Sequence, residues 1–149
     1  MTEVLFYHLE NRKLEQVLPG LLERSLDRGW RVVVQTSLPE RVEALNSLLW
    51  TWRDDSFLPH GAEGDGDAVR QPVWLTSGEE TPNMANVRFL VDGTIAATLN
   101  GLDRAVYLFN GGDETERQTA RTEWKAAVEA GHDVTYWRQT PEGKWEKQT

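Results

Sequence analysis

Two short apolar runs joined by one amphipathic, helix-length stretch constrain this chain more than any other feature. Val4 to Leu9 is β-prone and opens the chain as a buried strand does. From Asn11 the apolar residues Leu14, Val17, Leu18, Leu21, Leu22 and Leu26 fall on one helical stripe, while Glu15, Glu23, Arg24, Asp27 and Arg28 take the other side. Asn11 is the candidate N-cap and Gly29 the candidate stop. Pro19 lacks the donor an interior turn needs, so it either kinks this helix or marks its true start. Arg31 to Thr36 then carries Val32-Val33-Val34, a continuous β-branched run of the kind covered on both faces. Strand, helix and strand make a βαβ unit, which needs a parallel sheet.

The remaining pattern repeats this alternation. Ser37 and Glu40 have capping-box spacing ahead of Val42, Leu45, Leu48, Leu49 and Trp52, a second helix ending near Arg53. Gly61 to Arg70 reads as a mobile, acidic, glycine-rich surface loop. Val73 to Thr76, Asn86 to Val91 and Arg104 to Phe109 read as strands separated by turns. Asp113 and Glu116 give a second capping box for a helix reaching Gly131, with Ala120, Trp124, Ala127 and Val128 inward. Asp133 to Gln139 is a further strand, and Lys144 to Lys147 an edge strand or tail. The expected fold is one α/β domain over residues 1–149, a three-layer α/β/α sandwich with a mostly parallel or mixed sheet, Rossmann-like without a nucleotide loop.

Composition narrows the function. A net charge of -8 argues against duplex binding, because clustered Lys and Arg supply phosphate affinity. Zero cysteines remove disulfides, thiolate metal sites and a Cys nucleophile. The N-terminus lacks a signal-peptide pattern and no apolar run is long enough to span a bilayer, so a soluble, cytoplasmic protein is expected. Gly111-Gly112 lies between a strand and a helix, where a phosphate loop would sit, but Asp113, Glu114 and Glu116 already occupy that positive helix end. Glu63, Asp65 and Asp67 lack the downstream ligand of a calcium loop. His8, His60 and His132 have no metal-ligand spacing, so no cofactor or metal is expected. The alternative from another class is a small metal-dependent nuclease or phosphatase, built from the strand-end aspartates Asp54, Asp55, Asp92 and Asp103.

The aromatic distribution points elsewhere. On a helical projection, Val42, Leu45, Leu49 and Trp52 share one face of the second helix, and Trp50 lies about 140° from its centre. Trp50 is therefore expected at the surface, as an aromatic anchor for a partner or as part of a second packing layer. On the last helix Arg121 and Lys125 stand one turn apart beside Trp124. Two such cations form an ordinary solvated face or, in an acidic protein, a receptor for an acidic peptide. Trp50, Phe57, Arg121, Trp124 and Lys125 together would make an apolar pocket with a cationic rim.

With Phe6-Tyr7, Arg31-Val32-Val33-Val34, Leu49-Trp50, Ser56-Phe57-Leu58-Pro59-His60, Pro72-Val73, Arg121-Thr122-Glu123-Trp124-Lys125 and Tyr136-Trp137 in this order, the sequence resembles the chi subunit family of bacterial DNA polymerase III. The resemblance covers nearly the whole chain. It implies a non-catalytic accessory subunit of the clamp-loader assembly that binds the acidic, Phe-ending C-terminal tail of single-stranded DNA-binding protein. It places that tail site on Trp50, Phe57, Arg121, Trp124 and Lys125, with Trp124 standing where a tyrosine also occurs in the family. It also implies contact with the clamp loader through a small psi subunit, for which no short motif can be carried over.

Overall fold

Continuous burial along the central strands marks a single sheet that is covered on both sides. The computed structural model describes residues 2–10, 12–52 and 59–148. In chain order these form β1 (Glu3–Leu9), α1 (Leu14–Asp27), β2 (Val32–Gln35), α2 (Pro39–Thr51) and β3 (Gly61–Ala62). A 3-10 turn at Ala68–Arg70 precedes β4 (Val73–Thr76), β5 (Val87–Leu90), β6 (Arg104–Asn110), α3 (Glu114–Glu129), β7 (Asp133–Gln139) and β8 (Trp145–Lys147). The strand order is β3-β4-β2-β5-β6-β1-β7-β8, with every pair parallel except the terminal β7–β8 hairpin.

Successive strand residues point to opposite faces, and the two cores separate on that parity. On the first face Val32, Val34, Val87, Phe89, Val106 and Leu108 meet Leu14, Leu18 and Leu22 of α1 and Val42, Leu45 and Leu49 of α2. Leu18 and Leu22 are fully buried, and each such side chain stabilises the fold by about 1.5–3 kcal/mol. On the second face Val4, Phe6, Leu90, Tyr107 and Phe109 meet Ala120 and Ala127 of α3, with Trp124 against them. Where no helix covers that face, Val33 and Trp74 pack under Ala85 and Ala68 from the loops. The α/β expectation is met: among the described residues three α-helices flank an eight-stranded, mostly parallel sheet.

Several local expectations change. Ser37 and Glu40 do not cap α2; its N-cap is Leu38, with no side-chain cap bond, and Pro39 occupies the first turn where its missing N–H costs nothing. Pro19 neither starts α1 nor ends it, but sits buried within its second turn. The Asn11 cap lies outside the described residues; Gln16 Oε1 accepts from the Lys13 amide at 2.8 Å instead. Asp113 does cap α3, accepting from the Glu116 amide at 3.0 Å, whereas the Glu116 carboxylate turns to the amide of Asn110 rather than closing the box. Val128 is exposed, not inward. Gly61 does not begin a mobile loop: it is buried in β3, and a Cβ there would lie 2.8 Å from Gln71 Cγ.

Candidate functional site

Placement on the fold divides the sequence-derived site. Trp50, on the last turn of α2, is 59% exposed and packs its ring against His60 at 4.8 Å, while His60 Nε2 is 2.8 Å from Asn46 Oδ1. Phe57 lies outside the described residues. α2 covers the first face of the sheet above β3 and β4, whereas α3 covers the second face against β1, β6 and β7. Trp50 and Arg121 are therefore on opposite sides of the sheet. From β4 to β6 alone is three strand spacings, about 14 Å. The structure does not bring Trp50 together with Arg121, Trp124 and Lys125.

What it does bring together is a recess of about 380 Å³ on the α3 side, lined by His8, Phe109, Arg117, Ala120, Arg121, Trp124 and Tyr136. The helical period puts Arg117, Arg121 and Trp124 along one edge, with Ala120 leaving space beneath them. Trp124 meets Phe6 edge-on at 5.6 Å and Tyr136 at 5.8 Å, and Phe6 stacks on Tyr107 at 4.7 Å. These ring pairs fix the Trp124 indole as a wall. Lys125 is exposed one turn beyond Arg121, outside the lining.

The far wall rests on a polar pair. β1 and β7 are in parallel register with Phe6 opposite Tyr136, so His8 and Tyr136 share the second face. His8 Nδ1 and Tyr136 Oη are 2.5 Å apart. Burial lowers the His8 pKa and raises that of Tyr136, which favours the neutral form of each partner in this bond. Gly111 makes room for this ring: a Cβ there would overlap His8 Nε2 and lie 3.0 Å from Cε1. Gly111 thus serves packing against His8. Sequence reading missed His8, Phe109, Arg117 and Tyr136; the strand alternation of Phe6/His8 and Val134/Tyr136 was the available signal.

The neighbours β1 and β6 send their connections to opposite faces, which creates a crevice outside their carboxyl ends. That crevice, about 490 Å³, is lined by Glu10, Glu15, Asp92 and Glu116 and by Arg12 and Lys13. Glu10 pairs with Arg138, Glu15 and Asp92 both pair with Arg41, and Glu116 accepts from Asn110. Four engaged carboxylates, with Arg12 and Lys13, stand here in place of the converging backbone amides of a nucleotide loop.

The metal alternative loses its geometry as well. Asp92 follows β5 and is held by Arg41 and Thr36, whereas Asp103 precedes β6 and accepts from Asn86 at 2.6 Å. Asn86 and Asp92 bracket β5, so the two aspartates sit at opposite ends of the sheet, about 20 Å apart. Asp54 and Asp55 lie outside the described residues. Among the described residues no group of three or more His, Cys, Asp or Glu side chains could hold a metal ion.

Comparison with known proteins agrees with the order of motifs along the chain. The family model described as DNA polymerase III chi subunit, HolC, matches residues 1–135. The chain belongs to the DNA polymerase III chi subunit family. A probable DNA polymerase III subunit chi from Rickettsia prowazekii (strain Madrid E) is 27% identical over 109 residues. That match covers 73% of this chain and 66% of the relative, so the chain spans just under two thirds of the relative's length. The family match includes β1, β6 and α3, which build most of the recess, and ends one residue before Tyr136. Among the described residues no helix of this chi-family chain is long and apolar enough to cross a membrane.

Proposed function

We propose that this chi-family chain is a non-catalytic accessory subunit of DNA polymerase III that receives the acidic C-terminal tail of single-stranded DNA-binding protein in the α3 recess. The observation that carries this reading is the pairing of two arginines with an aromatic-walled recess in a protein of net charge -8. A terminal phenylalanine ring enters between Trp124, Phe109 and Tyr136, where it leaves water and meets ring edges and faces. Arg117 and Arg121 stand at the mouth and form charge-assisted hydrogen bonds with the terminal carboxylate and the acidic side chains before it. Lys125 extends the same row and attracts the incoming tail over a distance set by salt. No bond is made or broken, so no acid, base or nucleophile is needed.

Trp50 has no place in this recess and is assigned no tail contact. The clamp-loader context, reached directly or through a psi subunit, is part of the same proposal and is supported by the family match alone. The partner is tested by capture of intact single-stranded DNA-binding protein on the immobilised chain. Full-length protein is expected to bind and a form lacking its acidic tail is not. Equal capture of both forms would remove the tail as the ligand.

A further inference from the structure

On the first face, where α1 leaves β1, β7 and β8 incompletely covered, the half-buried rings of Tyr7, Trp137 and Trp145 form a continuous aromatic surface. Tyr7 lies between the two indoles, 6.2 Å from Trp137 and 4.8 Å from Trp145. Trp30 continues it towards the amino ends of the strands, held between the guanidinium groups of Arg28 at 5.0 Å and Arg104 at 4.6 Å. Cations follow the rings. Arg12 and Arg24 line one shallow groove of about 150 Å³ with Trp145. Arg104, Arg24 and Arg28 all act electrostatically on the Tyr7 hydroxyl, against the single carboxylate of Glu3, which is already paired with Arg104 at 2.6 Å. Lys147 stands opposite Trp137 in the β7–β8 register, which puts it on the same face.

The rings are spread along the face of α1, a helix of 14 residues and about 21 Å, instead of closing round one cavity. Successive stacked groups fit this arrangement better than one terminal side chain does.

We propose that this face is a direct binding platform for single-stranded nucleic acid. Trp137 and Trp145 stack bases, and Arg12, Arg24, Arg28 and Lys147 neutralise phosphates. The surface lies across the sheet from the tail recess, so it does not depend on that reading and both ligands can be held at once. A duplex hides its base faces and cannot use the rings.

The test is fluorescence anisotropy of a labelled oligothymidylate of about 15 nucleotides. With four phosphates neutralised, affinity is expected to fall about 50-fold between about 50 and 200 mM salt. Arg24→Glu combined with Arg28→Glu, both on exposed positions, is expected to weaken binding at least tenfold, while Arg121→Ala leaves it unchanged. Bound oligonucleotide should also quench the tryptophan fluorescence, and Lys147→Glu should lower affinity without altering thermal stability. The proposal is overturned if the unaltered chain gives no anisotropy change at low salt, or if the charge-reversed chain binds as tightly. It is equally overturned if duplex, inorganic polyphosphate or an acidic Phe-ending peptide displaces the oligonucleotide as well as unlabelled single strand does.

Discussion

Replacing Gly111 with alanine puts a methyl group where the His8 imidazole lies. The new Cβ overlaps Nε2 and stands 3.0 Å from Cε1, closer than such atoms pack. Either the Asn110–Gly112 turn moves or the imidazole does. The turn is fixed by the Gly111 amide donating to Leu9 O at 2.8 Å and the Gly112 amide donating to Asn110 Oδ1 at 2.8 Å. The ring therefore yields, and the bond between Tyr136 and His8 Nδ1 goes with it. Overpacking of a filled site costs about 1–3 kcal/mol and the lost bond about 1 more, giving a destabilisation of about 2–4 kcal/mol. For a chain of this size that lowers the melting midpoint by roughly 4–16 °C. Urea unfolding of the unaltered chain, Gly111→Ala, His8→Ala and the double variant forms the required cycle. The double variant is expected to be clearly more stable than the sum of the single changes, because removing the imidazole frees the space. A Gly111→Ala chain within about 0.5 kcal/mol of the original, or strict additivity in the cycle, would refute the close-approach argument.

Four further outcomes test the architecture at separate points. Asp113→Ala removes the α3 cap and should cost about 1 kcal/mol in chemical unfolding. Arg88, 4% exposed, donates to Gln35 Oε1 at 2.8 Å and Gly78 O at 2.9 Å; Arg88→Met leaves these acceptors unanswered and should destabilise by about 2–5 kcal/mol in the same assay. Burial lowers the His8 pKa, so below the unfolded histidine value the unfolded chain binds the extra proton and stability falls as pH drops. Thermal scans from pH 7 to pH 5 should therefore show a larger loss for the unaltered chain than for His8→Leu. Trp50→Ala, at an exposed ring packed on His60, should change stability by less than about 1 kcal/mol in urea unfolding.

The elements were legible because their signals are local. The Val32-Val33-Val34 run, the α1 stripe and the Asp113 cap each act within one or two turns of chain, and each stands where the pattern put it. Trp50 is also exposed, as its angle from Val42 and Leu45 implied. What the pattern could not supply was its relation to Arg121. A helical wheel gives the direction of a side chain on its own helix, but not the side of the sheet to which that helix crosses. α2 and α3 cross to different sides, so two surface residues expected in one pocket stand on opposite faces of the sheet. His8 and Tyr136 were missed for the related reason that only the β1–β7 register puts residues 128 positions apart on a common face. Ser37 failed as a cap because Pro39, two residues on, supplied a different start for α2.

Calorimetric titration of an acidic peptide ending in phenylalanine, against the unaltered chain, Arg121→Ala and Trp50→Ala, tests the proposed site most directly. Loss of a charge-assisted hydrogen bond of about 1.5–3 kcal/mol predicts at least a tenfold weaker complex for Arg121→Ala. Trp50→Ala, across the sheet, should bind the peptide as the unaltered chain does. The opposite pattern, with affinity kept in Arg121→Ala and lost in Trp50→Ala, would contradict the recess and move the tail to the other face.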